Sequence, residues 1–206
     1  MIHRLASLLF AQRQVVVFSR GLEPSTGEQA PDGYTFTDLT ARDFLRCALA
    51  ADRGRLARFE QRLSDGYRCA GFRDAEGSVV SYIWIARGDA GPSSVAIWRH
   101  VRVSLQPHDV FFWDCRTDPA HVRRGLYRSG LRIAGTRLAV AGSRRAFIET
   151  DTDNAASCRG IVGAGFLPAE ELTLIASAGL YWIRSERAGL RRIKAPLRPG
   201  DEVATR

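Results

Sequence analysis

Lysine is nearly missing from this chain. Lys194 stands alone, so the formal charge of +8 is carried almost wholly by arginine. Guanidinium groups suit phosphate recognition, although a biased genome would leave the same mark. Cysteine is sparse and scattered: Cys47, Cys69, Cys115 and Cys158 lie far apart, with no C-x-x-C and no partnered histidine. That spacing excludes a structural metal site, and the apolar neighbours read as reduced, buried thiols of a cytoplasmic protein. No apolar run approaches the length of a membrane span. Internal repeats and low-complexity tracts are also absent, which excludes a stacked-repeat architecture.

What is present suits a single domain. The 206 residues are 45% hydrophobic, enough for a sizeable core and too few for two full domains. Residues 1–30 read as an N-terminal extension, 31–185 as the domain, and 186–206 as a basic, partly ordered tail. The extension carries Arg4, Arg13 and Arg20 with no acid before Glu23. Its apolar core is broken by Gln12, Arg13 and Gln14, unlike a secretory signal. An extra helix and a strand near Arg13 to Phe18 are expected, with an amphipathic targeting segment as the alternative.

The domain alternates strands and helices. Glu23 to Gly33 is a loop and Tyr34 to Leu39 a strand. Thr40 and Asp43 form a capping arrangement for a helix reaching about Ala51. A second helix covers Asp52 to Ser64, with Leu56, Phe59 and Leu63 inward and Gly66 as its stop. Tyr67 to Phe72 and Val79 to Ala86 make a hairpin over Asp74-Ala75-Glu76-Gly77. Val95 to Leu105 alternates well enough for one further strand. Arg145 to Asp151 is a strand, Asp153 or Asn154 caps a short helix, and Leu172 to Ser177 with Leu180 to Arg184 closes as a hairpin.

The densest signal lies in Val110 to Leu131. An apolar strand is stopped by Asp118-Pro119, an arginine and glycine turn follows, and Tyr127, Leu131, Ala134, Leu138 and Ala141 then recur at helical spacing. A strand, a basic glycine turn and a helix N-terminus make a phosphate cradle, since the first helical N–H groups lack intrahelical partners and the dipole favours an anion. An ordinary strand-to-helix connection with exposed arginines is the competing reading.

With these elements placed, the chain resembles the GNAT superfamily of coenzyme A dependent N-acyltransferases, over about Tyr34 to Arg184. Two motifs carry the resemblance. After Pro119 stands Val122-Arg123-Arg124-Gly125-Leu126-Tyr127, matching an R/Q-x-x-G-x-G/A turn at its central glycine, with Val122 and Tyr127 as departures. Asn154-Ala155-Ala156-Ser157 followed by Gly165-Phe166 matches the second, in the expected order. The resemblance implies an α/β (α+β) fold with a mixed, mostly antiparallel central sheet, flanked by helices and splayed into a V. It implies acetyl-CoA (coenzyme A) as cofactor and transfer of an acetyl or other acyl group to an acceptor amine.

On that resemblance the cofactor is held by Cys115, Arg116 and Thr117 through their backbone, by Val122, Arg123, Arg124, Gly125, Leu126, Tyr127 and Arg128 at the diphosphate, and by Asn154 and Ser157 along the pantetheine arm. Tyr127 also reads as a core side chain, Asn154 as a helix N-cap and Ser157 as a solvated helix residue. Asp114 and Glu149 are the candidate general bases. Each has an ordinary alternative, Asp114 as an arginine partner and Glu149 as a sheet-face carboxylate. His108 and His121 sit in loops expected at the same end. The family's tyrosine acid is replaced by Ile161, leaving Cys158, Ser157 or Tyr181 as proton donors. No metal is implied. The acceptor is a small-molecule amine, such as a sugar or amino acid, gripped near Ala50 to Arg55 and Ser177 to Tyr181; Arg53 and Arg55 hint at an anionic one, with a solvated arginine face as the ordinary reading. A homodimer is compatible. The alternatives are a pseudoenzyme that binds coenzyme A without turnover and a protein that binds nucleic acid or anionic surfaces, for which no recognisable module is present.

Overall fold

The computed structural model describes residues 10–25, 27–45, 47, 49, 53–92, 94–98, 101–178, 180–185 and 189–193. Within them β1 (Phe10–Gly21), β2 (Thr35–Asp38), α1 (Ala41–Phe44), α2 (Arg53–Ser64), β3 (Arg68–Arg73) and β4 (Val79–Arg87) come first. Then follow β5 (Ser94–Trp98), β6 (Val101–Ser104), β7 (Asp109–Thr117), a 3-10 turn at Pro119–His121 and α3 (Leu126–Val140). The chain continues through β8 (Arg145–Asp151), α4 (Ala155–Gly163), β9 (Leu167–Ser177), β10 (Leu180–Ser185) and β11 (Gly189–Ile193).

Nine strands form one sheet in the order β11-β10-β9-β1-β8-β7-β4-β3-β2. The β7–β8 pair is parallel and the other neighbours are antiparallel. Strand parity assigns the two faces. Val110 and Phe112 of β7, with Ala146 and Ile148 of β8, share a core with Leu126, Leu131, Ala134 and Leu138 of α3. Phe111 points the other way, into a core with Val95, Ile97 and Val101 of the β5–β6 hairpin. On that second face Phe44 and Phe59 pack on Tyr82 and Trp84. The sheet is therefore covered by α3 and α4 on one side, and by α1, α2 and the hairpin on the other. Gly130 sets how closely α3 approaches: a Cβ there would lie 2.9 Å from Ile83 Cδ1 and 3.2 Å from Phe72.

Several sequence expectations change. Residues 10–21, set apart as an extension, form β1 inside the sheet, hydrogen-bonded to β8 on one edge and β9 on the other. The helix expected before it falls at 1–9, outside the described residues. Val95 to Leu105 is a hairpin rather than one strand, with Trp98 opposite Val101. Alternation could not reveal this, because a tight reversal that preserves parity leaves the period of two intact. The helix begun at Thr40 spans Ala41–Phe44, opened by the expected box: Asp43 Oδ2 accepts from Thr40 N at 2.7 Å. Residues 46, 48 and 50–52 of its expected extent lie outside the described residues. Strand β9 starts at Leu167, earlier than expected, because its first residues pair with β1. Part of the tail is strand β11, paired with β10. Ala141 is the C-cap of α3 and is exposed, so the stripe ends at Leu138 and Ala139.

Candidate functional site

The splay between β7 and β8 is the feature on which the site is built. Their pairing runs from Asp109↔Arg145 to Phe112↔Ile148 and goes no further. Beyond it β7 stays on β4, with Tyr82↔Arg116 and Ser81↔Thr117, while β8 stays on β1 through Val15↔Asp151. The edge of β7 facing β8 is thus open from Trp113 onward, which leaves backbone for an extended ligand. A bulge sharpens the divergence: the β4–β7 register shifts between Tyr82 and Trp84, and Asp114 takes a φ of 42°.

Past the open edge the chain makes the expected cradle. Asp118 Oδ1 accepts from Ala120 N at 2.8 Å and Pro119 opens the short 3-10 turn. Two residues in the next turn are left-handed, Arg123 at φ 63° and Gly125 at φ 79°. For Arg123 that conformation costs on the order of 1–2 kcal/mol, which the surrounding turn must offset. At Gly125 glycine is required by φ and not by crowding, since the nearest atom to an added Cβ would be Ser129 Oγ at 4.0 Å. Ser129 N donates to Gly125 O at 2.9 Å, so α3 starts at the turn and aims its N-terminus at the splay.

A cleft of 840 Å³ joins the two features. It is lined by Cys115, Arg116 and Thr117 of β7, by Val122, Arg123 and Gly125 of the turn, by Leu126, Tyr127 and Arg128 of α3, and by Asn154 and Ser157 of α4. Arg124 is the expected residue that does not line it: its Nη1 donates to Tyr34 Oη at 3.0 Å, and that hydroxyl lies 3.0 Å from His121 Nδ1. The cleft also takes in Leu49, Arg159 and Gly160, which no motif pointed to, together with Ala156 of the second motif, Pro119, Arg55 and His121. Helical spacing from Asn154 could have found Arg159. Among the described residues the cationic lining is Arg55, Arg116, Arg123, Arg128 and Arg159, and no carboxylate lines the cleft. Such a groove is electrostatically complementary to a polyanion.

Inside the cleft, Tyr127 Oη lies 3.2 Å from Ser157 Oγ. The ring rests on Gly160, where a Cβ would come within 2.6 Å of it. Burial pushes the phenol well above the usual tyrosine range. Asn154 Oδ1 caps α4 by accepting from Ser157 N at 3.1 Å, leaving its amide donors for other partners. Ile161 is fully buried in the α3 and α4 core. His108 precedes β7 and faces Gly142 O at 3.1 Å, at the end of the sheet opposite the splay; His121 alone of the loop histidines is at the cleft.

The two candidate bases do not line the cleft; they flank the mouth of the splay. Asp114 is held by Arg62 at 2.6 Å and Arg116 at 3.2 Å. Glu149, one residue past the last β7–β8 pair, is held by Arg13 at 3.1 Å. Burial raises the Glu149 carboxyl above the usual range and Arg13 opposes the rise. Burial also raises the Cys115 thiol, with Asp114 and then Glu149 adding to the shift, so both carboxylates act on the cleft's inner end. Arg13 also donates to Asp151 Oδ1 at 2.5 Å and to Ile97 O at 2.6 Å, tying β1, β8 and the hairpin together. The sequence pattern marked neither Arg13 nor Arg62 as a partner. Among the described residues no cluster of three or more histidine, cysteine or acidic side chains could hold a metal. No helix there is long and apolar enough to cross a membrane.

No family model and no curated protein matches the chain. Solved structures do. A GCN5-related N-acetyltransferase from Sphaerobacter thermophilus superposes with a TM-score of 0.56 at 10% identity, covering 89% of this chain and 55% of that one. A GNAT-family acetyltransferase from Colwellia psychrerythraea gives 0.55 at 10% identity, over 84% and 60%. A tandem GNAT protein from the clavulanic acid biosynthesis pathway gives 0.51 at 16% identity, over 81% and 54%. The chain therefore spans a little over half the length of these proteins. Such identities establish the fold: this is the GNAT fold, a mixed and mostly antiparallel sheet flanked by helices.

Proposed function

We propose that the chain is an acyltransferase that moves an acetyl or other acyl group from a coenzyme A thioester to an acceptor amine by direct attack. The observation that carries this reading is the cleft, where an open β7 edge leads into an arginine-lined groove, with no carboxylate among the described lining residues, at the N-terminus of α3. The residues fit the cofactor. Backbone N–H groups of the turn and first helical turn would hold the diphosphate. Arg123, Arg128 and Arg159 would balance its charge, and the β7 backbone from Cys115 to Thr117 would pair with the pantetheine amides.

When bound, coenzyme A supplies the acyl group as a thioester whose sulfur leaves as a thiolate. The protein's own contribution is to position the acceptor at the mouth of the splay, to accept one proton from the ammonium before attack, and to pass the second, shed as the amide forms, to the leaving sulfur. The amine nitrogen bonds to the carbonyl carbon as the C–S bond breaks. Glu149 and Asp114 flank this mouth; burial favours Glu149 as the proton acceptor, with Asp114 positioned by its two arginines. The hydroxyl pair of Tyr127 and Ser157 lines the cleft and would serve the departing thiolate, with the raised phenol protonated as a donor.

Calorimetry with acetyl-CoA, followed by a free-thiol assay over an amine panel, tests the reading; folded protein that does not bind acetyl-CoA at millimolar concentration refutes it. A second reading, binding without turnover, draws support from the arginine pairing of both carboxylates. Turnover with any amine eliminates it.

A further inference from the structure

A second cavity, of 440 Å³, opens on the face of the sheet opposite α3, between α2, the β5–β6 hairpin and β7. Its floor is Trp113, the first β7 residue beyond the β8 pairing, so the cavity adjoins the splay at the position next to Asp114. The indole Nε1 of Trp113 is buried and has no hydrogen-bond partner within the protein.

The charges around this cavity are unequal. Arg62 lies over the Trp113 ring at 4.2 Å and is balanced by Asp114 at 2.6 Å. Arg102, on β6, has neutral partners only: its Nε donates to Ser94 Oγ at 3.0 Å, and its Nη2 to Ser94 O at 2.9 Å and Tyr67 Oη at 3.3 Å. Among the described residues no carboxylate pairs with it. Three neutral hydrogen bonds hold this guanidinium in place while leaving its charge uncompensated. A fixed, uncompensated guanidinium in the wall of a cavity is a receptor for a carboxylate. Asp65 lines the same cavity and offers the opposite charge for an ammonium.

We infer that the acceptor is an amine that also carries a carboxylate, in the manner of an amino acid. The carboxylate sits on Arg102, the hydrocarbon part lies against Trp113 and Pro92, and the amine is directed past Asp114 to the splay. This rests on the acyltransferase reading and names the substrate class of that site. The β5–β6 hairpin supplies Arg102.

The test uses the full chain, acetyl-CoA and matched acceptor pairs: amino acids and short peptides against their decarboxylated amines, with thiol release as readout and calorimetry for acetyl-CoA. The acids are expected to exceed their decarboxylated partners by at least tenfold in kcat/KM. Arg102→Gln should erase that preference through KM, and Arg102→Lys should restore part of it. Acetyl-CoA affinity should stay unchanged in each variant, which also shows that each folds. Equal or better use of the decarboxylated amines, a preference that survives Arg102→Gln, or no turnover across the panel with acetyl-CoA bound would each overturn the inference and leave cofactor binding standing. Absence of acetyl-CoA binding by the unaltered protein would instead overturn the acyltransferase reading.

Discussion

Replacing Arg13 by glutamine tests the electrostatics of the site's far wall. Arg13 sits 3.1 Å from Glu149, whose side chain is 13% exposed, and 2.5 Å from Asp151, which is 45% exposed. Unit charges at the first separation attract by ~5 kcal/mol at an effective dielectric of about 20. Desolvation offsets much of that, but removing one partner strands the other charge, at about 3–5 kcal/mol for a fully buried pair. Arg13 is 23% exposed, so about 3 kcal/mol is expected at pH 7. Asp151 adds little because water screens it, and the lost bond to Ile97 O accounts for about 1 kcal/mol.

The sign of the pH dependence follows. Glu149 is already raised above its ordinary value by burial, and loss of Arg13 raises it further. A raised carboxyl favours the fold while protonated and loses that contribution as pH rises through its folded value. The penalty of Arg13→Gln should therefore shrink toward about 1 kcal/mol as pH falls and Glu149 takes up its proton. Urea unfolding at several pH values between 4.5 and 7.5 measures it. Arg13→Gln combined with Glu149→Gln should recover most of the loss at pH 7. A penalty that does not vary with pH, or a double variant no better than the single, would refute the reasoning.

The remaining predictions concern the cleft and its catalysis. Gly125→Trp combines an unfavourable φ with a bulky side chain in the cradle and should weaken acetyl-CoA binding at least tenfold, about 1.4 kcal/mol, measured by calorimetry. In pH–rate profiles, Glu149→Gln should remove the acid limb of kcat/KM, which in the unaltered protein should lie above 4.5, the ordinary value for glutamate; Asp114→Asn should lower the rate and leave that limb in place. Ile161→Tyr, which writes the family's tyrosine back into the sequence, should destabilise by about 1–3 kcal/mol through overpacking without raising activity, because position 161 points into the core. Chemical denaturation and the thiol assay check both parts.

Where the sequence was informative, the physics was local. Asp118-Pro119, the arginine turn and Gly125 each act within a few residues, so their cradle is readable without the fold, and the structure puts the φ of Gly125 at 79° as its reason. Most of the cleft lining followed from two motifs, and of the expected residues Arg124 departed because Tyr34, far away in sequence, takes up its guanidinium. The candidate carboxylates were findable as residue types. Their state was not, because Arg13 and Arg62 reach them across the fold from β1 and α2. The second cavity was equally hidden, since parity cannot tell one long strand from a hairpin and so concealed the element carrying Arg102.

Strand β1 shows how a local signal can be present and still be misplaced. Val15, Val16, Val17 and Phe18 break the alternation expected of a strand wet on one face, and such a run marks burial on both faces. In the structure Val16 and Phe18 enter the α3 and α4 core while Val15 enters the hairpin core, so an interior position is the only one consistent with the run. Interior placement also gives Arg13 its role, since from an edge strand it could not reach Asp151, Glu149 and Ile97 together. The segment before the loop is thus both a central strand and the support of the candidate base. Weakening β1 should therefore loosen the hairpin and the acceptor cavity before it touches the cofactor cleft, which is built from β7, α3 and α4. Val15→Ala, which opens space on the hairpin side, should raise acceptor KM and destabilise by about 1–3 kcal/mol with acetyl-CoA affinity nearly unchanged. An equal loss of both affinities would show that the two sites are not separately supported.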